Sequence, residues 1–224
     1  MRKNFFKYGI VYILIISLSF TLSSSSKSPV NIAIVKYSGG GDWYSIVDAL
    51  QNLIQFCNQE SNMNINTEYG TVEVGSSELF NYPFVFMTGH GNIVLNNQEA
   101  DNLRNYLNAG GFLFVDDDYG MDKFIRPIFK QLFPSNELIE LPFSHPIFHQ
   151  KYDFPNGMPK IHEHDNKSPK TYGLFIEGKL VCIYAQESNI SDGWDSKDVH
   201  KDSEEMRQKA LKMGANIIQF AFTQ

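Results

Sequence analysis

Cysteine is nearly absent, with two thiols in 224 residues, too few for a disulfide framework or a thiolate metal cage. Positive charge is also scarce. Lys+Arg number 19 against 25 Asp+Glu, for a formal net charge of −6 and a pI ≈ 5.5. That balance argues against a nucleic-acid ligand, whose phosphates need a basic face. The chain has no G-x-S-x-G elbow, no H-E-x-x-H pair, no dinucleotide-type glycine spacing and no phosphate-loop lysine. What is present is ordinary: 42% hydrophobic and 20% charged residues describe a globular chain, neither disordered nor polytopic. The length suits one medium domain.

The charges are unevenly placed. Arg2, Lys3, Lys7 and Lys27 are all the charges before Pro29, and Tyr8 to Leu22 carries none. A basic start, an apolar run and a small-residue tail at Ser23 to Ser26 form the pattern of a secretory signal over residues 1–26. The alternative is an uncleaved membrane anchor in residues 8–22, against which stand the shortness of the run and its Ser17, Ser19 and Thr21. No cysteine near the tail offers a lipid attachment point. Residues 29–224 then hold 15 basic and 25 acidic residues, net −10, and read as a single α/β domain of an exported protein, periplasmic or otherwise in the cell envelope.

Within that domain, Val30 to Tyr37 reads as a strand, followed by a glycine turn and a helix whose apolar stripe runs from Ile46 to Cys57, with Asp42 as its N-cap. Ile65 to Val74 is extended. Pro83 to Thr88 and Phe112 to Val115 are continuous apolar runs, as expected for strands covered on both faces. Between them Asn96 and Glu99 have capping-box spacing, and Gly110-Gly111 supplies a left-handed stop. Ile125 to Phe133 reads as a helix, residues 134 to 170 as mostly loop, Tyr172 to Tyr184 as a hairpin, and about Ser203 to Phe222 as a final helix. Alternating strands and helices predict a three-layer α/β sandwich around a mainly parallel sheet.

Ligands of such sheets bind beyond the carboxyl ends of the strands. Three strand ends carry unusual chemistry: Gly39 to Trp43, Thr88 to Asn92, and Asp116 to Gly120. Their convergence predicts a crevice with Gly41, Asp42, Trp43, Gly89, His90, Gly91, Asp116 and Asp117 as candidate ligand contacts, and His90 as the candidate acid/base. The glycines could cradle an anion, although a tight turn capped by Asp42 explains them as well. The aspartates could hold a hard cation or cap a solvated turn, and alternation along a strand lets at most two share a site.

Four of the six histidines, His145, His149, His162 and His164, cluster with Asp153, Glu163 and Asp165. Imidazole with carboxylate suits zinc or manganese, so Asp116, Asp117, His145 and His149 are candidate metal ligands, with Pro146 opening a short helix between the two histidines. Trp194, in a polar loop, could pack on a ligand or close the core. Cys57 and Cys182 read as core thiols.

The motifs Gly40-Gly41-Asp42-Trp43-Tyr44, Phe84 to Gly91, Leu103 to Leu107 running into Gly110 to Asp117, His145 to His149, and Gly193-Trp194 together resemble the family called domain of unknown function 4159. The resemblance implies a flavodoxin-like, class I glutamine amidotransferase-like fold and similarity to trehalose-utilisation-like members of it. It also implies an envelope context with membrane-protein partners. In amidotransferases a cysteine occupies the turn where this chain has Gly89-His90-Gly91, so the resemblance implies no glutaminase chemistry. Three readings follow: a non-catalytic domain binding a small molecule or envelope partner, a metal-dependent hydrolase, and a purely structural module.

Overall fold

The computed structural model describes residues 28–162, 164 and 166–224. The signal or anchor segment, Glu163 and Asp165 lie outside the described residues. Among the described residues no helix is long and apolar enough to cross a membrane.

The strands are β1 (Ile32–Lys36), β2 (Gly70–Glu73), β3 (Phe84–His90), β4 (Phe112–Tyr119), β5 (Leu138–Glu140), β6 (Lys170–Ile176) and β7 (Lys179–Gln186). They form one seven-stranded sheet in the order β2-β1-β3-β4-β7-β6-β5. Pairing is parallel from β2 through β7 and antiparallel at β7-β6 and β6-β5. The helices are α1 (Ala49–Glu60), α2 (Asn97–Asn108), α3 (Asp122–Leu132), α4 (Lys197–His200) and α5 (Glu204–Thr223).

Alternation along the apolar strands divides the core into two layers. Ile32, Ile34, Phe84, Phe86, Phe112 and Phe114 face α1 and α5. Ala33, Val35, Val85, Met87, Leu113 and Val115 face α2 and α3. This is a mixed α/β sandwich around a mostly parallel sheet, and its first five positions follow the doubly wound order whose switch point lies between β1 and β3.

Several boundaries differ from those expected. Asp42 does not cap α1. The helix begins at Ala49 behind Asp48, Val47 is exposed, and the amides of Val47 and Asp48 donate to Asp195 Oδ1 at 3.1 and 2.8 Å. A carboxylate from a distant loop thus occupies the start of the helix, so the local candidate is not needed there. Strand β3 continues through Gly89 to His90, and β4 continues through all three aspartates, because ladder pairing persists at Thr88↔Asp116 and Gly89↔Asp117. The aspartates are therefore buried rather than solvated. Strand β5 and a 3₁₀ turn at Pro146–His149 interrupt the expected loop. The capping box at Asn96 is formed as expected.

Candidate functional site

The loops after β1 and β3 are laced together. Val94 N donates to Ser38 O at 2.8 Å, Gly41 N to Asn92 O at 2.9 Å, and Asn92 Nδ2 to Gly39 O at 2.8 Å. The Gly41 amide is thereby engaged within the fold rather than offered to an anion. Gly89 has φ +133°, and a Cβ there would lie 2.6 Å from the Tyr37 hydroxyl and 2.9 Å from Asp42 Oδ1. Only glycine lets β3 pass this close to the β1 loop.

That closeness is what positions His90. Asp42 Oδ1 accepts from the His90 amide at 2.5 Å, and Asp42 Oδ2 lies 3.1 Å from His90 Nδ1. Asp118 Oδ2 is 3.8 Å from the same nitrogen. The imidazole is half exposed. With Nδ1 held by carboxylate, Nε2 is the ring nitrogen left without a partner among the described residues.

Beneath it lies a buried polar layer. Asp116 and Asp118 continue the face of Phe112 and Phe114, toward α1 and α5. Asp116 accepts from Ser188 Oγ (3.0 Å), Ile190 N (3.3 Å) and Ser191 N (2.7 Å). Asp118 accepts from Thr88 Oγ1 (3.1 Å) and Ser45 Oγ (3.4 Å), and Thr88 Oγ1 lies 3.3 Å from Ser191 Oγ. Burial pushes the Asp116 carboxyl up to about 7, against the bonds from Ser191. Burial, then the charge of Asp116, holds Asp118 well above the carboxylate range. Asp117 points the other way, accepting from Met121 N at 2.9 Å and Tyr184 OH at 2.7 Å. Burial raises it as well.

The structure therefore brings Asp42, Gly89 and His90 together where the loops carrying Gly41 and Gly91 are laced, with Asp118 beneath the imidazole, whereas Asp116 is fully buried and bonds to Ser188, Ile190 and Ser191 instead. Trp43 follows Asp42, partly buried against both core layers and edge-on to Tyr44. Asp117 is on the opposite face of the sheet. Trp194 is 1% exposed; its ring packs on Phe86 and Phe114 and its Nε1 donates to Ala210 O at 2.9 Å. It closes the core and presents no face to a ligand.

His145 and His149 are not brought to Asp116 and Asp117. His145 packs on Phe220, ten residues beyond the Ala210 that Trp194 touches, or about 15 Å along α5. His149 lies with Asp153 (2.5 Å) and Phe143 O (2.8 Å). Pro146 does open the turn, but the four expected ligands share no site.

A second group stands beside Asp116. His162 Nδ1 is 2.7 Å from Asp192 Oδ2 and its Nε2 is 3.1 Å from Asp202 Oδ1. His200 Nε2 is 3.1 Å from Asp195 Oδ2 and 3.7 Å from Asp192 Oδ1. The Asp192 bond raises His162 to about 9. Of these residues only His162 stood out in the sequence. Its partners are thirty and more residues away, across the β6-β7 hairpin. The signal for them was the hairpin itself, since antiparallel pairing brings the residue before β6 and those after β7 to the same end.

The fold and site define a doubly wound α/β domain with a cluster of polar and carboxylate side chains at the strand ends, and Cys57 and Cys182 are both buried in the core. The chain belongs to the family described as Domain of unknown function (DUF4159), whose profile matches residues 31–222. No curated protein matches it. Among solved structures it is similar to a ThuA-like protein from Bacteroides uniformis ATCC 8492, at 11% identity and a TM-score of 0.43, over 91% of this chain and 96% of that one.

Proposed function

We propose that this domain binds a small polar ligand, or a polar group of an envelope partner, in the crevice at the ends of β1 and β3, without forming a covalent intermediate. One observation carries the reading: His90 is fixed by Asp42 through both its amide and Nδ1, over a buried carboxylate layer, with its imidazole half exposed. Orienting an imidazole in this way pre-arranges one donor or acceptor for a ligand. The kinship to glutamine amidotransferase-like domains that we infer is consistent with it. The turn that would carry a cysteine nucleophile holds Gly89-His90-Gly91, and both cysteines are elsewhere. The basic, then apolar, start of the chain supports export to the envelope.

A second reading, an acid/base enzyme, is favoured by the same Asp42-His90 pair, because an imidazole with carboxylate on Nδ1 is a competent general base for water or a hydroxyl. The two are separated by one experiment. Ligand-observed NMR screening of polar metabolites against the wild type and His90→Ala should give hits that the variant loses, with the hit compound chemically unchanged. Hits that persist in His90→Ala would sink both readings, and turnover lost in the variant would select the second.

A further inference from the structure

The geometry points to a metal site that neither the family assignment nor the proposed ligand site includes: His162 Nδ1, His200 Nε2 and an Asp192 carboxylate oxygen as the protein ligands of one divalent ion of the zinc class, with Asp195 beside His200. The ligand atoms of His162, Asp192 and His200 all lie within 4.8 Å of one another. The separations of Asp192 oxygens from His162 Nδ1 and His200 Nε2, 2.7 and 3.7 Å, bracket the roughly 3.3 Å expected between ligands of a tetrahedral ion with bonds of about 2.0 to 2.1 Å. Two imidazoles with carboxylate oxygens are a ligand set suited to zinc.

Two further observations point the same way. Asp202, 8% exposed, accepts from His162 Nε2 through Oδ1, while its Oδ2 is buried with no partner among the described residues. A carboxylate on the outer nitrogen of a histidine fixes its tautomer and turns the other nitrogen to the metal. The charge also asks for a cation. Asp192, Asp195 and Asp202 bring three carboxylates to two histidines, so the group stays net negative even with both imidazoles protonated. Arg207, the nearest guanidinium, donates instead to the Asp195 carbonyl and to Glu204. Buried carboxylates need pairing or coordination.

The site is held rigidly yet is open to entry. Ile161 N donates to Ser188 O at 2.9 Å, Ser191 N is tied to Asp116 at 2.7 Å, and Trp194 anchors the turn between Asp192 and Asp195. His162 and His200 each remain about a quarter exposed, at 28% and 27%. An ion here joins the segment before β6, the turn after β7 and α4, and so has a structural role beside the crevice. The inference does not depend on what His90 binds.

The test uses the full domain purified without a histidine tag and stripped with chelator. Titration with Zn²⁺ should show one equivalent bound with submicromolar affinity and a melting temperature raised by about 5 °C at saturation. Co²⁺ should give the visible absorption of a tetrahedral complex. His162→Ala and His200→Ala should each lower affinity at least 100-fold, while His149→Ala, outside the group, leaves it unchanged. Should the alanine variants fail to fold, the Co²⁺ spectrum of the wild type decides alone. Less than about a tenth of an equivalent of Zn²⁺, with an unmoved melt and no Co²⁺ band, would make the group an ion-pair network only. Undiminished binding in both histidine variants would overturn the assignment equally.

Discussion

Asp116 and Asp118 share a face of β4 and sit in the same buried layer, yet their partners differ in a way that separates their roles. Two of the three groups donating to Asp116 are backbone amides, which cannot reverse. Both groups donating to Asp118 are hydroxyls, which can. Asp116→Asn would set an amide group against fixed N–H donors and should cost about 2 kcal/mol or more, read by urea denaturation. Asp118→Asn should be accepted by Thr88 and Ser45 with their hydroxyls turned. Its effect depends on pH in a defined direction. The Asp118 carboxyl is raised in the folded chain, so from about pH 4 upward the unfolded chain ionises first and is favoured. The asparagine variant escapes that penalty. Its melting temperature should match the wild type near pH 4 and exceed it progressively toward pH 7.5. A gain that shrinks as pH rises would contradict the raised value. His90 belongs to the same scale: the histidine was legible in the sequence as a candidate, whereas its orientation depends on Asp42, 48 residues earlier.

Among the elements, α2 and the turn before α4 show what local pattern can and cannot foretell. Asn96 accepts from Glu99 N at 3.0 Å, and Glu99 Oε2 from Asn96 N at 2.8 Å, all within four residues. Asn96→Ala should therefore destabilise by about 1 kcal/mol, measured by the shift of the urea midpoint at constant slope. The start of α1 is the opposite case. Asp42 looked like a cap by position, but Asp195 reaches the helix start from 147 residues away, and Asp42 turns to His90. Gly193 is packed against α5, where an added Cβ would lie 2.5 Å from the Ala210 Cβ. Gly193→Ala should push the turn carrying Asp192 and Asp195 off α5, costing about 1 to 3 kcal/mol in a thermal melt, and weaken Zn²⁺ binding in the same sample. A stable variant with full Zn²⁺ affinity would show that the turn is softer than this contact implies.

Across the whole molecule, the doubly wound order brings the ends of β1, β3 and β4 together, so residues near 42, 90 and 118 share one rim. The charge is net acidic: residues 29–224 carry net −10. The domain should pass unretained through heparin and bind an anion exchanger at pH 7.5; retention on heparin would reveal a basic face hidden in the net charge. The sequence by itself determined the three-layer α/β arrangement, the mostly parallel sheet and the capped α2. Those features rest on period-two and helical patterns and on neighbours within a turn. Only the tertiary structure decided which way each aspartate faces, that Trp194 is core, that His145 and His149 stand apart from Asp116, and that His162 meets Asp192 and His200. Those facts depend on strand length, on register and on contacts between segments far apart in the chain, where a shift of one residue reverses the face a side chain occupies.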